Sequence, residues 1–297
     1  MDSYLAATVS VLTAFPARKG MLFDQESLKG DELFMRERTL WPFFALLLLA
    51  AMTLAGCSGG ASTSVPEPTP TQQIQTLKMA LLPVMDVLPF HVAEQNGYFG
   101  QSGVQVELVP VKSAQERDAL MQAGEIDGML NDLISTGLFN RDDVQIQIVA
   151  TARRAYPESP QFRVLAAPDG DVTSTSDLAG VPIGISQNTI IEYITDRLLE
   201  AEGLSPDQIE ILEVSAIPVR FEQLMEGQIQ AATLPDPLAQ GAVAGGATLL
   251  VDDSQHTQYS QSVLSFSTEA IGAKPNSIKK FLKAWNRAVA DLNSNPD

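Results

Sequence analysis

The rhythm of apolar and polar positions changes twice along this chain. Leu40 to Leu54 is almost entirely apolar and carries no charge. Ser58 to Gln73 is almost devoid of apolar residues and alternates Pro with Thr. From Leu77 onward, short apolar runs alternate with stretches whose apolar positions recur at helical spacing. That alternation is the signature of an α/β fold. Strands are expected at Leu77–Pro83, Val104–Val109, Ile126–Leu130, Val144–Ala150 and Phe162–Ala167. After the polar turn Asp169-Gly-Asp171 they are expected at Val181–Ile185, Ile209–Val214, Ala231–Leu234, Ala247–Val251 and Ser262–Ser267. Helices are expected at Phe90–Asn96, from the capping box Ser113-Ala-Gln-Glu116 to Gly124, and at Leu133–Phe139, Ile190–Ala201, Val219–Glu226 and Ile278–Leu292.

The first apolar stretch spans 15 residues, short of the roughly 20 that a membrane-spanning helix needs. Arg36 and Arg38 precede it, and Leu54-Ala55-Gly56-Cys57 closes it. A charged start, a short apolar run and a small-residue end make an export signal, and the closing four residues match the bacterial lipobox. Residues 35–56 therefore read as a lipoprotein signal peptide, with Cys57 as the lipidated first residue of the exported chain. Residues 1–34 carry no targeting pattern and read as a mis-called extension ahead of a true start at Met35. Residues 57–75, rich in Pro, Thr and Ser, cannot bury a core and read as an extended tether.

Composition narrows the chemistry. The chain carries 19 Lys and Arg against 36 Asp and Glu, a formal charge of −17. Such acidity argues against nucleic acid and against a basic membrane-docking face. Cys57 is the single cysteine, and once acylated it leaves no thiol for a disulfide, a nucleophile or a metal. His91 and His256 are the only histidines. From Cys57 onward the chain has no Gly-x-Ser-x-Gly elbow, phosphate loop or metal-spaced His cluster, so no catalytic residue, metal or cofactor is expected.

An internal echo links two halves. Leu120-Met121 leads to Gly124, Ile126, Leu130 and Asp132, and Leu224-Met225 leads to Gly227, Ile229, Leu234 and Asp236, with the spacing slipping by one residue. In each half a helix ends at Gly, a short strand follows, and a carboxylate stands just beyond it. Ligands of open α/β sheets bind outside the carboxyl ends of the strands, so two such lobes would face each other across a cleft with an aspartate on each wall.

Four motifs in order carry a family resemblance: Ala80-Leu-Leu-Pro-Val-Met-Asp-Val-Leu-Pro-Phe-His-Val-Ala-Glu-Gln-Asn-Gly-Tyr-Phe99, Gly124-Glu-Ile-Asp-Gly128, Asp177-Leu-Ala-Gly-Val-Pro-Ile-Gly-Ile-Ser186 and Ala232-Thr-Leu-Pro-Asp-Pro-Leu-Ala239. Together they resemble ABC-transporter substrate-binding proteins of the nitrate/sulfonate/taurine and thiamine-pyrimidine-precursor group, over about residues 77–293. The resemblance implies a two-lobed type II periplasmic-binding-protein fold with a ligand cleft between the lobes. It implies lobe I at 77–166 plus 260–297, lobe II at 169–257, and hinges near Leu165–Pro168 and Asp252–Ser262. It also implies a monomer that closes on a small-molecule solute outside the cytoplasm and passes it to an ABC permease with a cytoplasmic ATPase.

The candidate ligand residues follow the strands. Asp86, Val87, Leu88, Phe90 and His91 come after the first, each open to a plainer role as turn, core or solvent-facing residue. Asn131 and Asp132 follow the third, where Asp132 reads equally as a helix N-cap. Arg153 and Arg154 read as anion grips or as a solvated pair. In the second half, Ser186, Gln187, Asn188 and Thr189 open a helix whose free N–H groups suit an anion or a carbonyl oxygen. Glu192 faces the cleft or completes a capping box with Thr189, and Asp236 mirrors Asp132. Uncompensated carboxylates would not suit a sulfonate or nitrate. The expectation is therefore a solute of cationic or N–H donor character, such as an aminopyrimidine or another N-heterocycle. Two rival readings stand beside transport: an enzyme resembling those menaquinone-pathway enzymes that share this fold, and a lipid-anchored sensory domain.

Sequencing of the unprocessed precursor is expected to begin at Met35, and the processed chain at an acylated Cys57. A precursor beginning earlier would overturn the assignment of residues 1–34.

Overall fold

The computed structural model describes residues 75–294; the signal-like stretch, Cys57 and nearly all of the tether lie outside the described residues. Two five-stranded sheets organise the rest. The first uses β1 (Thr76–Leu81), β2 (Gln105–Pro110), β3 (Gly128–Asp132), β4 (Ile146–Arg154) and β10 (Gln261–Ser267), in the order β2-β1-β3-β10-β4. The second uses β5 (Phe162–Ala166), β6 (Pro182–Ile185), β7 (Glu210–Glu213), β8 (Ala231–Pro235) and β9 (Thr248–Asp252), in the order β7-β6-β8-β5-β9. In each sheet four strands run the same way and one internal strand runs antiparallel to them. The two sheets thus share one topology. Their antiparallel strands, β10 and β5, are both supplied by chain that has just left the other lobe.

The chain therefore crosses twice, at 155–161 and at 253–260. The first crossing corrects the boundary expected at Leu165–Pro168. β5 pairs with β8 and β9, so it belongs to the second lobe. Val164, Leu165 and Ala166 are fully buried, and a strand covered on both faces shows no alternation to say which sheet it joins. The polar turn Asp169-Gly-Asp171 marks a connection inside that lobe.

Nine helices are described around the sheets: α1 (Leu88–Gln95), α2 (Tyr98–Gln101), α3 (Ala114–Gln122), α4 (Leu133–Phe139), α5 (Ile190–Ala201), α6 (Ile217–Met225), α7 (Leu238–Ala244), α8 (Thr268–Ala273) and α9 (Pro275–Ser294). The short helices α2, α7 and α8 lack a legible apolar stripe and were not expected from periodicity. Strands β3 and β4 end two and four residues later than expected. β4 runs on because Arg153 and Arg154 pair with Ser262 and Gln261.

Each sheet is covered on both faces. In lobe I, α9 lays Ile278, Phe281, Ala284, Trp285 and Ala288 against one face. Phe281 stacks on Phe99 at 5.8 Å and meets Phe266 edge-on at 5.6 Å. Met121, Ile126, Met129 and Ile146 fill the other face. In lobe II the two layers centre on Ile183, Ile194 and Leu198 and on Leu165, Leu224 and Leu234. No helix among the described residues is long and apolar enough to cross a membrane.

Gly128 marks the tightest point of lobe I. A Cβ there would stand 2.7 Å from the Phe266 ring and 2.8 Å from Met79 Sδ. Gly128→Ala is expected to lower stability by about 1–3 kcal/mol through overpacking, measured by urea denaturation. An unchanged midpoint would show that the Phe266 ring moves freely.

Candidate functional site

The carboxyl ends of β1 and β3 in lobe I face those of β6 and β8 in lobe II. Between them lies a cavity of about 60 Å³ lined by both lobes. Its apolar lining includes Leu82, Val84, Ala114 and Leu130 from lobe I and Phe162, Ile190, Ile191 and Ile217 from lobe II. The lobes are closed upon each other. Met85 N donates to Asp236 O at 2.9 Å, and Ile217 N donates to Lys112 O at 3.0 Å. Gln115 Nε2 reaches Gln187 O and Glu213 Oε1, each at 3.3 Å. The cavity is less than half of the roughly 150 Å³ that admits benzene in an engineered core, so an aromatic solute needs the walls to stand further apart.

The carboxylates in the walls have protein partners. Asp86 accepts from Arg153 Nη1 at 3.0 Å and from Gln161 Nε2 at 3.1 Å. Arg153 also holds the first crossing, donating to Ser159 Oγ at 2.8 Å and Pro160 O at 3.2 Å. Asp236, at the end of β8, pairs with Arg163. Burial raises the Asp236 pKa, while Arg163 and then Arg153 act against the rise. Asp132 caps α4, with Oδ1 accepting from Ser135 N at 2.7 Å and Oδ2 from Ser135 Oγ at 2.8 Å. Burial pushes its pKa up more than nearby Arg117 and the Ser135 bonds pull it down. Arg117 is itself buried and donates to Asp118, Leu130 O and Ser135 Oγ. Asn131 is held between Thr136 and Ser265.

In lobe II the expected open turn of amides is already occupied. Glu213 accepts from Gln187 N at 2.7 Å, Glu192 from Asn188 N at 2.6 Å, and Thr189 Oγ1 from Ile191 N at 3.1 Å. The protein's own carboxylates thus occupy amides that an anionic solute would seek. Beneath the turn, Ser186 Oγ donates to Ser215 O and accepts from Arg220 Nη1. Arg220 is fully buried, and burial lowers its pKa to about 10, against the pull of Glu213.

Of the residues singled out in the sequence, Asp86, Asn131, Asp132, Ser186, Thr189 and Asp236 line the cavity, as does Arg153. The others lie elsewhere. α1 begins at Leu88 and turns Phe90 into the core, 5.7 Å from Phe281, with Val87 also buried there. The same helix leaves Leu88 and His91 on its exposed side. Gln187 and Asn188 are exposed outside the cavity lining, and Glu192 is turned back as a cap. Arg154 lies outside the lining, against the Tyr156 ring.

Arg117, Gln161 and Ser262 line the cavity without having been singled out. Arg117 had a signal. Arg117 precedes Gly124 by the same spacing as Arg220 precedes Gly227, and Ile126 and Ile229 follow alike. Both arginines are buried in equivalent helices, α3 and α6, and both glycines have positive φ, +69° and +66°. The echo therefore aligns on arginine and glycine, without the slip that Leu-Met suggested. Gln161 had no such signal, because it stands in a crossing without periodicity. No group of three or more His, Cys, Asp or Glu suited to a metal occurs among the described residues.

A family model described as NMT1/THI5 like matches residues 84–297. The riboflavin-binding protein RibY of Chloroflexus aurantiacus is 23% identical over 266 residues, covering 84% of this chain and 74% of its own. The formylaminopyrimidine-binding protein of Halalkalibacterium halodurans is 26% identical over 174 residues, 57% of this chain and 48% of its own. The alkanesulfonate-binding protein SsuA of Xanthomonas axonopodis pv. citri, solved bound to MOPS, superposes with a TM-score of 0.63 at 18% identity, over 74% of this chain and 75% of its own.

The raised pKa of Asp132 has a consequence for stability. The native chain holds this proton to a higher pH than the unfolded chain does. Its contribution to stability therefore falls as pH rises from the ordinary Asp value of about 3.9 through the native value. Asp132→Asn keeps an oxygen for Ser135 N and removes the charge. Its stability relative to the native sequence is expected to improve with rising pH across that window and then level off, measured by urea denaturation at stepped pH. A difference independent of pH would refute the assignment.

Proposed function

The chain belongs to the NMT1/THI5-like family, and from that premise we propose that it is the solute-binding lipoprotein of an ABC importer, acting as a monomer tethered outside the cytoplasmic membrane through Cys57. The observation that carries this reading is a cavity walled by the strand ends of two lobes that already bond to each other across it. A solute seated there touches both walls, so it favours the closed state by the contacts that closure adds. The closed receptor then docks on a membrane permease driven by a cytoplasmic ATPase.

The solute is a small, uncharged N-heterocycle of the aminopyrimidine kind. Pairing of Asp86 with Arg153 and of Asp236 with Arg163 removes the open carboxylates that would have favoured a cation. Pairing of Gln187 N and Asn188 N with Glu213 and Glu192 removes two donors that would have favoured a sulfonate or nitrate. What is left is an apolar lining with a few polar groups, which suits a flat ring bearing N–H donors. The likeness to a formylaminopyrimidine-binding protein points the same way. Of the two characters expected from the sequence, cationic or N–H donor, the second survives the pairing.

Native mass spectrometry of the gently purified protein is expected to reveal a retained uncharged heterocycle, and calorimetry to give binding of 4-aminopyrimidine but not of taurine. Tight binding of taurine alone would overturn this substrate class.

A further inference from the structure

We infer that Gln161 reads an N–H donor on the solute, and that Asp86 is the positioning residue that makes it do so. Gln161 lines the cavity and is 4% exposed. Its Nε2 donates to Asp86 Oδ2 at 3.1 Å. Asp86 is paired with Arg153 and offers only acceptors, so it can hold only the NH2 end of the Gln161 amide. The amide therefore cannot flip. Its Oε1 is the free end, and among the described residues it has no hydrogen-bond partner. A buried carbonyl without a donor is costly, and native proteins seldom leave one unanswered.

The size of the cavity connects this acceptor to the solute. Oε1 is covered while the lobes stand as close as they do here, yet the cavity of about 60 Å³ is too small for a ring. Admitting a heterocycle moves the walls apart beside Gln161 and gives Oε1 a partner only if the ring presents an N–H there. A ring with an acceptor at that edge would face the Gln161 carbonyl lone pairs. The inference rests on the solute class proposed above and adds the residue that selects within it.

Calorimetry with two probes of similar size tests it: 4-aminopyrimidine, which offers N–H donors, and 4-methoxypyrimidine, which offers an acceptor in their place. The native sequence is expected to prefer the amino probe about tenfold, the scale of one buried hydrogen bond against one left unmade. Gln161→Met, similar in length but without the amide, is expected to bring the two affinities within about twofold of each other, with an unchanged thermal transition to show that it folds. Asp86→Asn supplies a donor that can hold the Gln161 carbonyl instead, so the amide can turn and the preference is expected to shrink or reverse. A merely structural glutamine would leave the ratio unchanged in both variants, and that result would overturn the inference while the solute class stood. Failure of the native sequence to bind either probe would overturn the solute class and this inference with it.

Discussion

The geometry of the cleft depends on how two crossings of the chain are pinned together. Asp253 opens the second crossing and is fully buried. Its Oδ1 accepts from Gln161 N at 2.8 Å and Phe162 N at 3.3 Å, at the end of the first. Ala155 N reaches Ser260 O across the same junction at 3.4 Å. Burial pushes the Asp253 pKa up, and the Ser260 hydroxyl and these two amides pull it back. From this junction β5 enters one sheet and β10 the other. The two crossings are thereby held together at one junction, and Gln161 belongs to it.

A second constraint is that charge is balanced within each lobe. Asp86 with Arg153 and Asp132 with Arg117 lie in lobe I, while Asp236 with Arg163 and Glu213 with Arg220 lie in lobe II. Opening the cleft therefore strands no buried charge, and closing it desolvates no unpaired one, which would cost several kcal/mol. Most of the bonds that close the gap are between uncharged groups: Met85 to Asp236 O, Ile217 to Lys112 O and Gln115 to Gln187 O. Such bonds contribute only about 1 kcal/mol each, so the open and closed states stand within reach of what a small solute can tip.

The alternation of strands and helices was legible because each sheet is covered on both faces and its helices carry apolar stripes. Helices α4 and α5 fall on the expected residues for that reason. The position of β5 was not legible, since Phe-Arg-Val-Leu-Ala pairs equally well in either sheet. The site was half legible. Asp86, Asn131, Asp132 and Asp236 stand where strand ends put them, but their partners Arg153, Arg163 and Arg117 come from distant strands and helices. A carboxylate read without its arginine looks like a binding site for cations. Read with it, the same residue is part of a neutral wall. Phe90 misled for a related reason: in sequence it adjoins a ligand loop, and only the start of α1 at Leu88 turns it inward.

These two constraints divide the work of recognition. A hydrogen bond to Gln161 is made at the junction of the crossings and need not bridge the two lobes, so it can discriminate between solutes without itself driving closure. The apolar walls behave in the opposite way. Leu130 and Val84 stand on one lobe and Ile190, Ile191 and Ile217 on the other, so a flat ring is covered on both faces only when the lobes meet. Each Å² of apolar surface removed from water then contributes about 25 cal/mol, and that gain belongs to the closed state alone. Specificity can thus be set at the hinge while closure is driven at the walls, and a solute that satisfies Gln161 but lacks a ring face would bind without locking the receptor shut.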